Sequence, residues 1–117
     1  MRLHHVQVSC PAGGEEAARV FYADGLGIPE VAKPPVLAAR GGCWFREDGV
    51  EVHVGVEPEF RPARKAHPAF LVDDIATLAA RLAARGFPVS WDPDFPGHRR
   101  FYTADGNGNR VEILAPA

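Results

Sequence analysis

Cysteine is scarce in this chain: Cys10 and Cys43 are the only two, and they stand too far apart for a CxxC redox pair or a zinc-ligand spacing. They are expected to be buried free thiols. Long apolar runs are absent as well. Nothing approaches the roughly 18 residues that a membrane span needs, and MRLHHVQVS carries no hydrophobic signal core, so the expectation is a cytoplasmic protein with no membrane partner. Basic runs are missing too: the formal net charge is −2, and lysines and arginines are dispersed, which leaves no electrostatic footprint for nucleic acid. With 46% apolar and 24% charged residues, the composition is that of a folded globular protein with little room for a disordered tail. At 117 residues, one domain with one core is expected.

What is present is periodicity. In HHVQVSC, Val6, Val8 and Cys10 alternate with His5, Gln7 and Ser9, the pattern of a half-buried strand. After Pro11-Ala12-Gly13-Gly14, EEAARVFYADGLG has helical spacing through Ala17, Val20 and Phe21, with stop signals at Gly25 and Gly27. VLAAR, GCWFRE and, beyond the Asp48-Gly49 turn, VEVHVGV read as three strands. The second half repeats the plan. HPAFLV alternates; DDIATLAARLAARG is a helix capped by Asp73 or Asp74, with an apolar stripe of Ile75, Leu78, Ala79 and Leu82 and an end at Gly86. FPVSW, RRFYTA and RVEILA are again strands, the last two joined by a hairpin turn through Asp105 to Asn109, which lacks the spaced carboxylates of a calcium loop.

The order βαβββ therefore occurs twice, which predicts an α+β fold of two βαβββ modules whose curved mixed sheets surround a concave cup. Module one covers about 3–57, a linker about 58–66 and module two about 67–116. Overlaid on each other, the halves match His5 with His67, Asp48-Gly49 with Asp105-Gly106, and Val50-Glu51-Val52 with Val111-Glu112-Ile113. Strand parity puts the valines and isoleucines on the helix side and His5, Glu51, His53, His67 and Glu112 on the other face. Two imidazoles and two carboxylates on one face suit a divalent first-row metal, so His5, Glu51, His67 and Glu112 are the predicted ligands. His53, two residues beyond Glu51 on the same strand, is the competing fourth ligand and otherwise supports the site or acts as its base. His4 points to the other face. Trp44, Phe45, Trp91, Phe101 and Tyr102 are read chiefly as core, and Arg61, Arg64, Lys65, Arg99 and Arg100 as solvated charges.

HHVQV, FYADGLGI, HPAFLVDDIATLAARLAARGFPV and FYTADGNGNRVEILAP together resemble the glyoxalase, bleomycin-resistance and extradiol-dioxygenase branch of the vicinal oxygen chelate superfamily, along essentially the whole chain. The resemblance implies the same ligand positions, His5, Glu51, His67 and Glu112, or the three-ligand set His5, His67 and Glu112 of fosfomycin-modifying and ring-cleaving relatives. It implies a divalent ion (Zn, Ni, Mn, Co or Fe) that chelates two adjacent oxygens of a small substrate for lyase, isomerase or dioxygenase chemistry. Glu112, Glu51 and His53 are then the catalytic candidates, with a carboxylate or His53 moving the proton. The resemblance equally implies an alternative, non-catalytic sequestration of a small molecule, as in bleomycin-resistance relatives. It also implies a homodimer, in which His5 and Glu51 of one chain can meet His67 and Glu112 of the other.

Overall fold

Alternating β-branched residues and paired turns set up two sheets of the same topology. The computed structural model describes residues 1–117. In the first half, β1 (Val6–Cys10) leads into helix α1 (Glu15–Ala18), followed by β2 (Glu30–Val31), helix α2 (Pro35–Ala38), β3 (Cys43–Glu47) and β4 (Val50–Val56). In the second, β5 (Ala69–Leu71) leads into helix α3 (Ile75–Ala84), then β6 (Ser90–Asp92), β7 (His98–Ala104) and β8 (Arg110–Pro116). The strand orders are β1-β4-β3-β2 and β5-β8-β7-β6. In each sheet the first strand runs parallel to the last and the other pairs are antiparallel, which is the duplicated α+β plan read from the sequence. No strand of one sheet pairs with a strand of the other.

Two local expectations are corrected. VLAAR is not a strand: Pro35 occupies the first turn of α2, where its missing N–H is not needed, and Leu37 and Ala38 continue as good helix formers. The second strand of the first sheet is instead Glu30–Val31, paired with Phe45 and Trp44. The first helix is also not regular, because beyond Ala18 it widens into a π-helical segment over Arg19–Gly25. The residues it buries are Ala18, Phe21, Tyr22 and Gly25 rather than the stripe Ala17, Val20 and Phe21. Two consecutive aromatics thereby enter the core together.

That core is a single cluster shared by both halves, with Phe21, Tyr22, Phe45 and Val52 of the first joined to Leu82, Phe101, Val111 and Ile113 of the second. Helix α3 contributes the predicted stripe, Ile75, Leu78, Ala79 and Leu82, all buried. Its cap is Asp74, whose carboxylate accepts from the Thr77 amide at 3.0 Å and the Thr77 hydroxyl at 2.7 Å. Both cysteines are buried and unpaired. Burial pushes the Cys43 thiol up to about 11 and raises that of Cys10 as well, with Glu15 and Asp105 adding to the effect. A thiolate-selective disulfide reagent should therefore label neither in the native protein and both once it is unfolded in denaturant; rapid native labelling would contradict the packing.

A latch of polar side chains ties the halves together. The hairpin Asp105–Asn109 tucks under the first helix, where a Cβ on Gly106 would lie only 2.8 Å from the Ala17 carbonyl oxygen. Tyr22, fully buried, donates its hydroxyl to Asp105 Oδ2 at 2.9 Å. Asp105 Oδ1 accepts from the amides of Asn107 and Asn109, both at 2.9 Å. The Asn109 side chain donates to the Ser9 carbonyl at 2.8 Å and accepts from the Ala63 amide at 3.0 Å, so one residue joins β1, the linker and β8.

Candidate functional site

Alternation places every predicted donor on the sheet face opposite the helices, but in one chain the donors form two separate groups. The first lies on the first sheet. His53 on β4 is buried between two rings, Trp44 at 3.8 Å and 3° on one side and His5 at 3.9 Å and 18° on the other. Its Nε2 donates to Glu51 Oε2 at 2.7 Å. That bond, and then the nearby His4, His53 and Arg46 side chains, hold the Glu51 carboxyl below its ordinary range, so it is ionised at neutral pH. His4 is exposed, with its Nδ1 2.9 Å from that of His5.

The second group runs across the whole of the other sheet. His67 precedes β5, and its Nε2 lies 3.0 Å from Glu112 Oε1 on β8. Glu112 Oε2 faces Arg100 Nη1 on β7 at 3.4 Å, and Arg100 Nη2 reaches Asp92 on β6 at 3.2 Å. Tyr102 sits beside this row, edge-on to His67 and under the guanidinium of Arg110, which is 3.9 Å from the ring centre. Arg100, read from the sequence as a solvated charge, is mostly covered here and touches two carboxylates. Trp44 and Tyr102, read as core, face the donors instead, while Phe45 and Phe101 are fully buried as expected. Strand parity could have found Arg100, since it shares a face with Tyr102, which stands directly opposite Glu112.

Hydrogen-bond register revises the overlay of the halves. Val8 pairs with Val54 and Phe70 with Ile113. With His5 laid on His67, three residues earlier in each strand, His53 falls on Glu112, and Trp44 opposite His53 falls on Tyr102 opposite Glu112. The sequence overlay had matched Glu51 with Glu112; a slip of two residues preserves the face, so patterning alone does not detect it.

The nitrogen and oxygen donors have the chemistry for a divalent ion. His67 Nδ1 lies 2.7 Å from the Lys65 carbonyl, while its Nε2 faces a carboxylate oxygen. A neutral imidazole donates from one nitrogen only, so when Nδ1 donates to the carbonyl the second contact calls for a cation shared by His67 and Glu112, either a proton or a metal. Within a single chain, however, no three His, Cys, Asp or Glu side chains are grouped to hold a metal. The expectation of four donors meeting at one point is therefore not met inside the monomer. Each sheet carries its own group of donors.

Comparison with known proteins gives the same picture of the chain as a whole. Residues 2–113 match the family model described as Glyoxalase/Bleomycin resistance protein/Dioxygenase superfamily. A Bacillus anthracis structure described as a glyoxalase family protein is 44% identical, with a TM-score of 0.95 over 100% of this chain and 96% of the other. TnmS3, an antibiotic binding protein from a Streptomyces species, is 25% identical, with a TM-score of 0.74 over 100% and 99%. Lactoylglutathione lyase from Agrobacterium tumefaciens shares the fold at 22% identity and a TM-score of 0.73 over 97% and 92%. No protein of curated function matches the sequence.

Proposed function

Because the chain belongs to the glyoxalase/bleomycin resistance protein/dioxygenase superfamily, we propose that it is a glyoxalase-like metalloenzyme that holds a divalent ion between two copies of itself. His5 and the Glu51–His53 pair of one protomer face His67 and Glu112 of its partner, and the two sheets close the cup around a small substrate. The observation behind this reading is the division of donors into two groups, each oriented by its own sheet and neither sufficient alone. The ion is Zn, Ni, Mn, Co or Fe, which are the metals this donor set suits. When bound, it supplies Lewis acidity to two adjacent substrate oxygens in its open positions, the requirement of lyase, isomerase or dioxygenase chemistry.

The chain's own residues divide the remaining work. Glu51, ionised and 2.7 Å from His53 Nε2, is the group placed to take a substrate proton, with His53 stabilising the charge it carries. Of the two, His53 is the register counterpart of Glu112 and Glu51 the freer base. On the opposite sheet, Arg100 is anchored by Asp92 and holds Glu112 Oε2, which leaves Oε1 beside His67 Nε2. No helix is long and apolar enough to cross a membrane, and we place the protein in the cytoplasm.

The parallel stack of Trp44, His53 and His5 favours a second reading, a homodimer that sequesters a planar small molecule against these rings without catalysis; the similar TnmS3 is described as an antibiotic binding protein. Elemental analysis of protein purified without chelator separates the two. The enzyme reading expects about one ion per chain in the wild type and essentially none in His5→Ala or Glu112→Ala. A wild type without stoichiometric metal rejects it in favour of sequestration.

A further inference from the structure

A main chain can rearrange unaided where Asp or Asn precedes Gly, and this sequence holds four such pairs: Asp24-Gly25, Asp48-Gly49, Asp105-Gly106 and Asn107-Gly108. In each, the glycine nitrogen can attack the side-chain carbonyl carbon of the residue before it, because glycine has no Cβ to block the approach. The attack needs that nitrogen uncommitted, the side chain free to turn toward it, and the peptide between them free to rotate. The fold withholds these freedoms from three of the pairs. Asp105 is held by both oxygens, Oδ1 by the amides of Asn107 and Asn109 and Oδ2 by the Tyr22 hydroxyl and the Asn109 side chain, and Gly106 is wedged against Ala17. The Gly108 amide already donates to the Asp105 carbonyl at 2.9 Å, and Asn107 Nδ2 to the Gly14 carbonyl at 3.0 Å. Asp24 is exposed, but Gly25 is buried in the π-helical segment, where a Cβ would stand 3.0 Å from Leu82 Cδ2.

Asp48-Gly49 has none of these restraints. It is a two-residue turn between Glu47 and Val50, which pair directly, and Arg46 to Gly49 are all exposed. The Gly49 nitrogen donates to no backbone carbonyl, and no atom lies within 4 Å of where a Cβ would sit. The ion pair beside the turn, Arg46 with Glu51 at 3.9 Å, does not include Asp48. Few contacts and uncommitted backbone groups mark a segment that opens locally at little cost. We infer that Asp48 is a site of spontaneous conversion to isoaspartate, and the only one of the four pairs that reacts in the folded protein. The Gly49 nitrogen bonds to Asp48 Cγ, the carboxyl hydroxyl and the amide proton leave together as water, and a cyclic imide forms. Water then adds back at one of the two ring carbonyls. Cleavage at Cγ restores aspartate; cleavage at the Asp48 main-chain carbonyl leaves the chain running through the former side chain. The reaction takes place within one residue pair, so no partner molecule has to reach the turn. The product carries one more methylene in the main chain, at a turn whose length sets Glu47 against Val50 and, next along the ladder, Arg46 against Glu51. The inference does not depend on metal binding.

The native protein, and the same protein unfolded in guanidinium chloride, are kept at neutral pH and physiological temperature for several weeks. Isoaspartate is counted with a protein isoaspartyl methyltransferase and placed by peptide mapping with electron-transfer fragmentation. In the folded sample it is expected at residue 48 about tenfold above any of the other three positions. In the unfolded sample all four react and Asn107 leads, since an amide releases ammonia more readily than a carboxyl releases water. Asp48→Glu should lose the native signal, because its ring would have one more member and closes far more slowly; far-UV dichroism verifies its fold. The inference is overturned if residue 48 does not exceed the other three in the native protein, if native and unfolded samples give the same pattern, or if Asp48→Glu retains the signal. Metal content is measured in the same samples, so a wild type without metal defeats the metalloenzyme reading and leaves this one standing.

Discussion

Equimolar His5→Ala and His67→Ala chains, each unable to bind metal alone, should recover about a quarter of the wild-type metal sites once their subunits have exchanged. After free exchange about half of the dimers contain one chain of each kind. In such a dimer one site lacks both histidines, whereas the other joins the intact His5 of the second variant to the intact His67 of the first. Activity toward any substrate the wild type turns over should return in the same proportion. The result is large because it is read against a background near zero, and it is specific to donors that meet across subunits. If native mass spectrometry shows mixed dimers and no metal returns, the two donor groups are not halves of a shared site, and the proposal of an intersubunit ion fails.

Asn109→Ala is expected to cost about 3 kcal/mol of stability. The side chain is 2% exposed and satisfies the Ser9 carbonyl, the Ala63 amide and Asp105 at once. Alanine removes the bonds to the part-buried Ser9 carbonyl and Ala63 amide and one bond to the buried Asp105 carboxylate, each worth about 1 kcal/mol. Urea unfolding monitored by far-UV dichroism gives the value directly, with an unchanged dependence on denaturant indicating that the native state is otherwise the same. Asn107→Ala removes one partly exposed bond to the Gly14 carbonyl and should cost about 1 kcal/mol. Equal losses for the two would mean that the latch is not what joins the halves.

The elements that obeyed a simple period were legible from the sequence. Alternation in β1, β4 and β8, the stripe of α3, and the Asp74 cap each follow from a few neighbouring residues, and they imposed the duplicated plan. VLAAR failed because small residues carry little alternation signal, and the rigid φ of Pro35 decided for a helical turn. The register between β1 and β4 was hidden for a different reason. Glu51 and Glu112 share a residue type and a face, so the overlay chose them, whereas backbone pairing across 46 residues brings His53 to the equivalent place. Arg100 was missed because its role depends on three strands at once: Asp92 and Glu112 become its neighbours only when β6, β7 and β8 are side by side. The same holds for Asn109, whose partners lie 46 and 100 positions away.

Each half of this chain completes its backbone ladder within its own four strands, leaving β1 and β5 as free borders. Trading one neighbouring half for an identical one from another molecule would therefore break no main-chain pairing. Which half sits beside which is therefore set by the shared core, by the side-chain bonds of Asn109 and by the length of the tether around Ala63, and not by the sheets themselves.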